Sequence, residues 1–458
     1  MSNKMTGYLS GLSLPRQVLA LAIWPFIEQM MAVFVGTVDM VVAGHLSPES
    51  LAVAAVDALG VTSYITWLMA LVFSAVGVGA AALIARAVGG GHKGLAHASL
   101  GQAMLMAVVC GLLVGVGTYI LAQPIGQVSG LGGAGLHWST VYLRIVSFAF
   151  LPSALLIIGN AALRAAGDTR TPCAVMATVN IANVIFSLLF VYGPRPIGGH
   201  GVAGIAAGTL CAWVIGSVVT ITVLICGWGG LRLYIHRLRL HLHTARRIVR
   251  VAVPNMYESI CGMWLGNFLI LMIVGRLVGD ATLGAHMIAL RIESVSFLGG
   301  LALGMAAATL TGQYLGMGEV KGARSAAVIS TWFAAAYMGI WGIAYLAVPT
   351  QMVRLVTNAE PLIRQAPEIL RIYGPIQIFL AIMIVLSHSL RGAGDTRASM
   401  WITILSIFSI RVPGCYLLGV TLDLGLPGIW LAMCGEMTLR SLVFIWRFRQ
   451  GRWEKVVV

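Results

Sequence analysis

Charge is scarce in this sequence. Charged residues make up 10% of the chain, with 15 Asp and Glu against 29 Lys and Arg, where a soluble domain carries roughly 25%. So few charges cannot clothe a water-facing globular surface, and no polar stretch is long enough to add a soluble domain. The seven cysteines are scattered through apolar stretches without a CxxC pair. That excludes a disulfide framework or a cysteine zinc site and leaves them as small core hydrophobes. An intramembrane prenyl- or acyltransferase would need a DDxxD pair or a His–Asp motif at a membrane face, and neither is present. The first apolar run lacks a small-residue cleavage site and is too long for a signal-peptide core, so it stays as a span.

Apolar residues supply 59% of the chain, in recurring stretches of about 20, the length that crosses the hydrocarbon core as helix. Twelve spans are predicted. In the first half they lie near 18–43, 51–84, 95–121, 137–158, 172–193 and 201–227. In the second they lie near 247–272, 281–312, 323–347, 365–388, 398–420 and 427–446. The expected fold is an all-α integral membrane protein. The formal net charge of +14 sits mostly in loops on one side. With the N-terminus in the cytoplasm, twenty of the 29 basic residues fall in or beside cytoplasmic segments, and both termini are then cytoplasmic. The basic stretch from Leu231 to Arg250 is the longest cytoplasmic connection. It reads as an anchor to anionic lipid headgroups, with no role for nucleic acid.

An octapeptide occurs twice, Leu163–Arg170 (LRAAGDTR) and Leu390–Arg397 (LRGAGDTR). One copy follows four predicted spans and the other follows ten, so both lie on the same side and the repeat is parallel. The expected organisation is an N-lobe at 1–227, a linker at 228–250, a C-lobe at 251–446 and a tail at 447–458. Gly89 and Gly91 recur at the same offset as Gly316 and Gly318. Pro25 with Glu28 resembles Pro254 with Glu258, each proline expected to break its helix where an acid follows about one turn later. Within the octapeptide, Gly167 and Gly394 permit a left-handed helix end, and Asp168 and Asp395 can cap the next turn. Arg170 and Arg397 can meet that Asp or a lipid phosphate. With Arg164 and Arg391, these residues read as a gate or turn element.

An ionisable group at a helix centre costs roughly 2.5–3.5 kcal/mol on insertion scales, so each one inside a span needs a reason. Glu436 and Arg440 are four apart and can pair on one face. Arg291 and Glu293 are two apart and need partners elsewhere, while Arg411 has no evident partner. Asp39 has no basic residue nearby in its span. At 1.5 Å per residue, Asp39, Asp57, Asn183, Ser187 and Thr209 fall roughly 6 to 15 Å deep from the outer side, on four helices of the first half. Carboxylates, an amide and hydroxyls at one depth suit a small alkali cation. A desolvated carboxylate suits a proton equally well.

Paired LRxAGDTR turns, the Pro25–Asp39 spacing in the first helix and the GxG loops together make the chain resemble the multidrug and toxic compound extrusion family over nearly its whole length. The resemblance implies two pseudo-symmetric six-helix lobes that rock between inward-open and outward-open states. It also implies export of small organic compounds, often cationic, in exchange for H+ or Na+, without a cofactor, by a monomer in a bacterial inner membrane. The family's first-lobe cation site maps onto Asp39, Asn183, Ser187 and Thr209. Ser187 stands where an Asn or Asp is often found, and Asn180 is the neighbour able to compensate. Some branches carry an acid in the tenth helix, but that position here is Leu380, which moves the expected coupling site to Asp39. Pro25, Glu28, Met256, Tyr257, Glu258 and Trp264 are candidates for lining the substrate cleft. A flippase for a lipid-linked sugar is the alternative, with an intramembrane transferase behind it. The acids at Glu28, Asp39 and Glu258 do not suit a pyrophosphate cargo.

The topology has a direct check. A reporter fused after residue 130 should score as external, and one fused after residue 240 as cytoplasmic. A cytoplasmic score at 130 would break both the twelve-span count and the parallel repeat.

Overall fold

A computed structural model describes residues 9–235, 238, 240–276 and 280–456. Lys4, Arg237 and Arg239, three of the basic residues assigned to the cytoplasmic side, lie outside the described residues, as do parts of the linker and of the tail. Every regular element among the described residues is helical. Eleven helices are long and apolar enough to cross a membrane, and a bent pair makes a twelfth. They are α1 (Leu14–Gly44), α2 (Glu49–Gly89), α3 (Lys93–Val128), α4 (Gly133–Ser147 and Phe150–Ala166), α5 (Arg170–Tyr192) and α6 (Gly201–Cys226). The second half contributes α7 (Leu242–Gly275), α8 (Thr282–Gly316), α9 (Val320–Ala347), α10 (Glu360–Gly392), α11 (Thr396–Thr421) and α12 (Gly425–Arg449). Each overlaps one predicted span. Large apolar side chains on these helices, among them Leu113, Ile120, Ile340 and Ile343, are exposed, as a hydrocarbon solvent requires.

The chain forms two compact units. One comprises Ile27–Ile84 and His92–Val249, and the other Met1–Phe26, Ala85–Gly91 and Arg250–Val458. The first unit packs a core of Val35, Leu156, Val175, Met176, Val179 and Ala212. Within it the linker docks on the start of α3: the Arg232 N–H donates to His97 Nδ1 at 3.0 Å, and the His241 N–H donates to Gln102 Oε1 at 3.0 Å. In the second unit a larger core surrounds Trp430, Tyr345 and Tyr373. There the tail folds back so that Trp453 is fully buried and stacks on Phe448, with ring centroids 4.9 Å apart.

The repeat is visible in how equivalent helices break. α4 bends by 53° at Phe148–Ala149. α10 carries a 3₁₀ turn at Gly374–Ile376, whose Pro375 cannot donate a helix hydrogen bond. Each break presses a carbonyl against the helix before it, and a glycine is waiting there. A Cβ on Gly115 of α3 would lie 2.8 Å from the Ser147 carbonyl oxygen, and one on Gly342 of α9 would lie 2.5 Å from the Gly374 carbonyl oxygen. The expected break at Pro25 is not seen: α1 runs through it as one continuous helix. Pro254 likewise lies inside a helix, and the winding widens to a π-turn only from Glu258 onward. A proline can be absorbed where neighbouring helices support the freed carbonyl.

Gly342→Ala should therefore be strongly felt, because the obstacle is backbone and cannot rotate away. We expect a loss of about 1–3 kcal/mol, read as a lower melting temperature of the detergent-purified protein. Unchanged melting would show that the two helices separate freely at this point.

Candidate functional site

Asp39 lies toward the end of α1 and is buried. Three neighbouring helices direct neutral polar groups at it. From α5, the Asn183 side-chain N–H donates to Asp39 Oδ1 at 3.2 Å, and from α6 the Thr209 hydroxyl donates to Asp39 Oδ2 at 2.7 Å. Asn183 Nδ2 also lies 3.5 Å from Ser187 Oγ and 3.2 Å from Thr209 Oγ1. Ser187 is one turn beyond Asn183 on the same face of α5 and is fully buried. The fourth contributor is Tyr142 of α4, a buried side chain whose hydroxyl faces the Asp39 and Thr209 side chains. Asn183 Oδ1 is buried with no hydrogen-bond partner, so the cluster retains an unused oxygen acceptor.

The sequence of α6 allows this approach. A Cβ on Gly208 would lie 2.5 Å from Ser187 Oγ and 2.6 Å from the Ser187 backbone nitrogen. Small residues at helix interfaces let backbones come close in a membrane, and here that closeness carries Thr209 to the carboxylate. Asp57, placed at a similar depth by its position in the sequence, is exposed on α2 and is not among the groups bonded to Asp39. Asn180 is only half-buried and donates to the Met176 carbonyl of its own helix at 2.8 Å. Depth along a helix is set by the rise per residue; direction around the helix decided against both. Tyr142 was missed although it lies only five residues into a predicted span, at a depth close to that of Asp39. An aromatic ring in an apolar run looks like core, and its hydroxyl was the available signal.

The acids that follow the two prolines have found partners in the octapeptides. Glu28 Oε1 receives Arg164 Nη1 at 2.6 Å, and Glu258 Oε1 receives Arg391 Nη2 at 2.7 Å. Ser399 and Thr403 of α11 also donate to Glu258 Oε1, at 2.9 and 2.8 Å. Both glutamates are buried, so each half ties its first helix to its own motif through a desolvated ion pair. The turns themselves match. Gly167 and Gly394 adopt φ of 102° and 89°, and the N–H groups of Asp168 and Asp395 reach back to the Leu163 and Leu390 carbonyls at 3.0 and 2.8 Å. Beyond that point the copies diverge. Asp168 Oδ1 accepts the Arg170 and Thr171 backbone N–H groups, each at 3.1 Å, and so caps α5. Asp395 instead holds Arg447 of α12 at 2.6 Å. Arg397 is exposed. Of the remaining cleft candidates, Pro25 is buried, Met256 is half-buried, Tyr257 is exposed and Trp264 stacks on Phe268 of its own helix.

Three further intramembrane charges sit together. Glu436 pairs with Arg440 at 3.0 Å as its spacing implied. Arg411, without an evident partner in the sequence, pairs with the same Glu436 at 2.7 Å. No group of three or more His, Cys, Asp or Glu able to hold a metal ion occurs among the described residues.

A family model named MatE matches residues 25–189 and 256–417, one block in each half. The chain belongs to the multidrug and toxic compound extrusion (MATE) family. It is thus a multi-pass membrane transporter and not an enzyme, and MATE transporters require no cofactor. It is similar to a probable multidrug resistance protein NorM of Thermotoga maritima, 26% identical over 97% of this chain and 94% of the relative. It also resembles the multidrug resistance protein PmpM of Pseudomonas aeruginosa, 24% identical over 95% of this chain and 91% of that one. Among solved structures, a MATE crystal structure in the bent conformation superposes with a TM-score of 0.89 at 19% identity, covering 97% of both chains. An outward-facing multidrug resistance MATE transporter gives 0.88 at 20% identity, over 97% of this chain and 98% of the other. At these identities the superpositions show the fold, two lobes of membrane-spanning helices.

The ion pairs lead to a stability prediction. Arg391→Ala leaves Glu258 buried without its counter-charge and should cost about 3–5 kcal/mol. Removing both charges, as Glu258→Gln with Arg391→Gln, should recover most of that loss in thermal unfolding. A double variant no more stable than Arg391→Ala would show that the pair is not what makes the arginine matter.

Proposed function

We propose that this MATE transporter is a secondary antiporter that exports small organic compounds, many of them cationic, in exchange for inward-moving H+ or Na+, and that Asp39 couples the two movements. One observation carries the reading: Asp39 is a buried carboxylate held by neutral donors alone, with no Lys, Arg or His within ion-pairing distance among the described residues. An antiporter needs a group whose occupation by ion and by cargo are mutually exclusive. A paired carboxylate is poor at this because its charge is already neutralised, whereas one surrounded by dipoles gains from a proton or a cation. Both ions suit the chemistry. A proton needs only the carboxylate, while Na+ would find hard oxygens on Asp39, Ser187, Thr209 and Tyr142 and the unused acceptor on Asn183. The multidrug names of the NorM and PmpM relatives support organic cargo.

In this reading residues 1–227 and 251–446 act as the two transport lobes and 228–250 as their linker. The chain works as a monomer in a bacterial inner membrane, with both termini cytoplasmic and without contact to nucleic acid. Alternating access by rocking of the lobes follows from the parallel repeat. Glu28 and Glu258 belong in this scheme to the fixed frame of each lobe, because each is held by its motif arginine.

Asp39→Asn keeps size and hydrogen bonding but cannot titrate. It should insert and fold, and should bind cargo within roughly tenfold of wild type, about 1.4 kcal/mol. Dye efflux in everted vesicles, with Na+ and proton gradients imposed separately, should fall to the level of empty vesicles. Asp57→Asn should keep part of the activity. Full efflux by purified Asp39→Asn in proteoliposomes would sink the proposal, and the gradient that drives the wild type identifies the ion.

A further inference from the structure

Among the described residues six carboxylates are buried: Glu28, Asp39, Glu258, Glu293, Asp395 and Glu436. Four of them are in ion pairs, with Arg164, Arg391, Arg447 and the Arg411–Arg440 couple. Asp39 is one exception. Glu293, on α8 in the other unit, is the second, with no basic side chain within 4.0 Å among the described residues. Its bonded neighbour is neutral: the fully buried Tyr373 of α10 donates its hydroxyl to Glu293 Oε1.

The charged and titratable groups that face Glu293 come from four helices. They are Tyr373 of α10, Tyr345 of α9, Arg411 of α11 and Cys434 of α12. The Tyr345 hydroxyl donates to the Ile292 carbonyl at 3.2 Å, which fixes that ring beside the glutamate without neutralising it. Arg411 is engaged elsewhere, since it and Arg440 share the single carboxylate of Glu436 at 2.7 and 3.0 Å. That triad carries one surplus positive charge. Ionised Glu293 brings the local sum to zero, and protonated Glu293 leaves it at plus one. Tyr373 can serve both forms, because its hydroxyl donates to a carboxylate and its oxygen accepts from a carboxylic acid. A site whose two protonation states are each satisfied is able to exchange.

We propose that Glu293 is a second exchangeable proton site, built in the half of the chain that lacks the Asp39 cluster, and that it binds and releases one proton in each transport cycle. The proton adds to a Glu293 carboxylate oxygen from water and returns to water. The transport part rests on the coupling role given to Asp39; the titration does not.

The test uses the full chain in lipid bilayers and records infrared difference spectra of the protonated-carboxyl stretch as pH is stepped between about 5 and 9. Wild type should show two components. Asp39→Asn should remove one, Glu293→Gln the other, and the double variant both. A Glu293→Gln spectrum that titrates like wild type overturns the proposal. Should that variant fail to fold, Tyr373→Phe keeps the carboxyl and removes its donor. It should shift the Glu293 component in frequency and midpoint, and no shift overturns the assignment. In proteoliposomes, protons moved per cargo should fall by about half in Glu293→Gln, and an unchanged ratio overturns the transport part. A wild type that titrates in two components but moves cargo without protons counts against the Asp39 reading and leaves the titration of Glu293 standing.

Discussion

A carboxylate removed from water must be neutralised or hydrogen-bonded, and within a membrane there is no solvent to make good a missing partner. This constraint sorts the buried acids among the described residues into two kinds. Glu28, Glu258, Asp395 and Glu436 face arginines. Asp39 and Glu293 face hydroxyls and, for Asp39, an amide. The first kind can tie helices together, because each carboxylate is closed against an arginine of another helix or of the same helix face. The second kind can change charge, because its partners bond to either form.

The same constraint explains the octapeptide better than the turn does alone. Gly167 and Gly394 end their helices in the left-handed conformation that a Cβ disfavours. This places Arg164 and Arg391 in the last turn, where the negative end of the helix dipole favours a cation. From there each arginine reaches a glutamate on the first helix of its own half. The motif therefore works as a turn and as an arginine held at a fixed height, which accounts for the recurrence of both features together.

The parallel repeat was legible because the octapeptide recurs after an even number of spans each time. The helix count was legible because it depends on length and composition alone: about 20 apolar residues cross the bilayer wherever they occur. The height of Asp39, Asn183, Ser187 and Thr209 was legible for a similar reason, since rise per residue is fixed. Azimuth was not. Asp57 shares their depth but is exposed, and Asn180 bonds to its own helix, because each points to a different side of its helix. Pairings between distant helices were also hidden. Arg411 finds Glu436 and Arg164 finds Glu28 across sequence separations that no local spacing encodes. Pro25 misled because a missing hydrogen bond need not kink a helix that its neighbours support.

The two halves share the motif-bound glutamate but not the second acid. In the first half the unpaired carboxylate is on α1; beyond Glu258, α7 carries no further acid. In the second half it is on α8, while the acids of α2 are Glu49 and Asp57, both exposed. The feature present in both copies, a motif arginine on a buried glutamate, belongs to the frame of each half. The second acid stands at a different place in each copy, where neighbouring helices offer neutral polar groups at its height. Those groups are Asn183 and Thr209, with Tyr142 facing them, for Asp39 and Tyr373 for Glu293. Their distribution, and not that of the acids alone, separates the carboxylates that can exchange a charge from those that are paired to arginines within their own half.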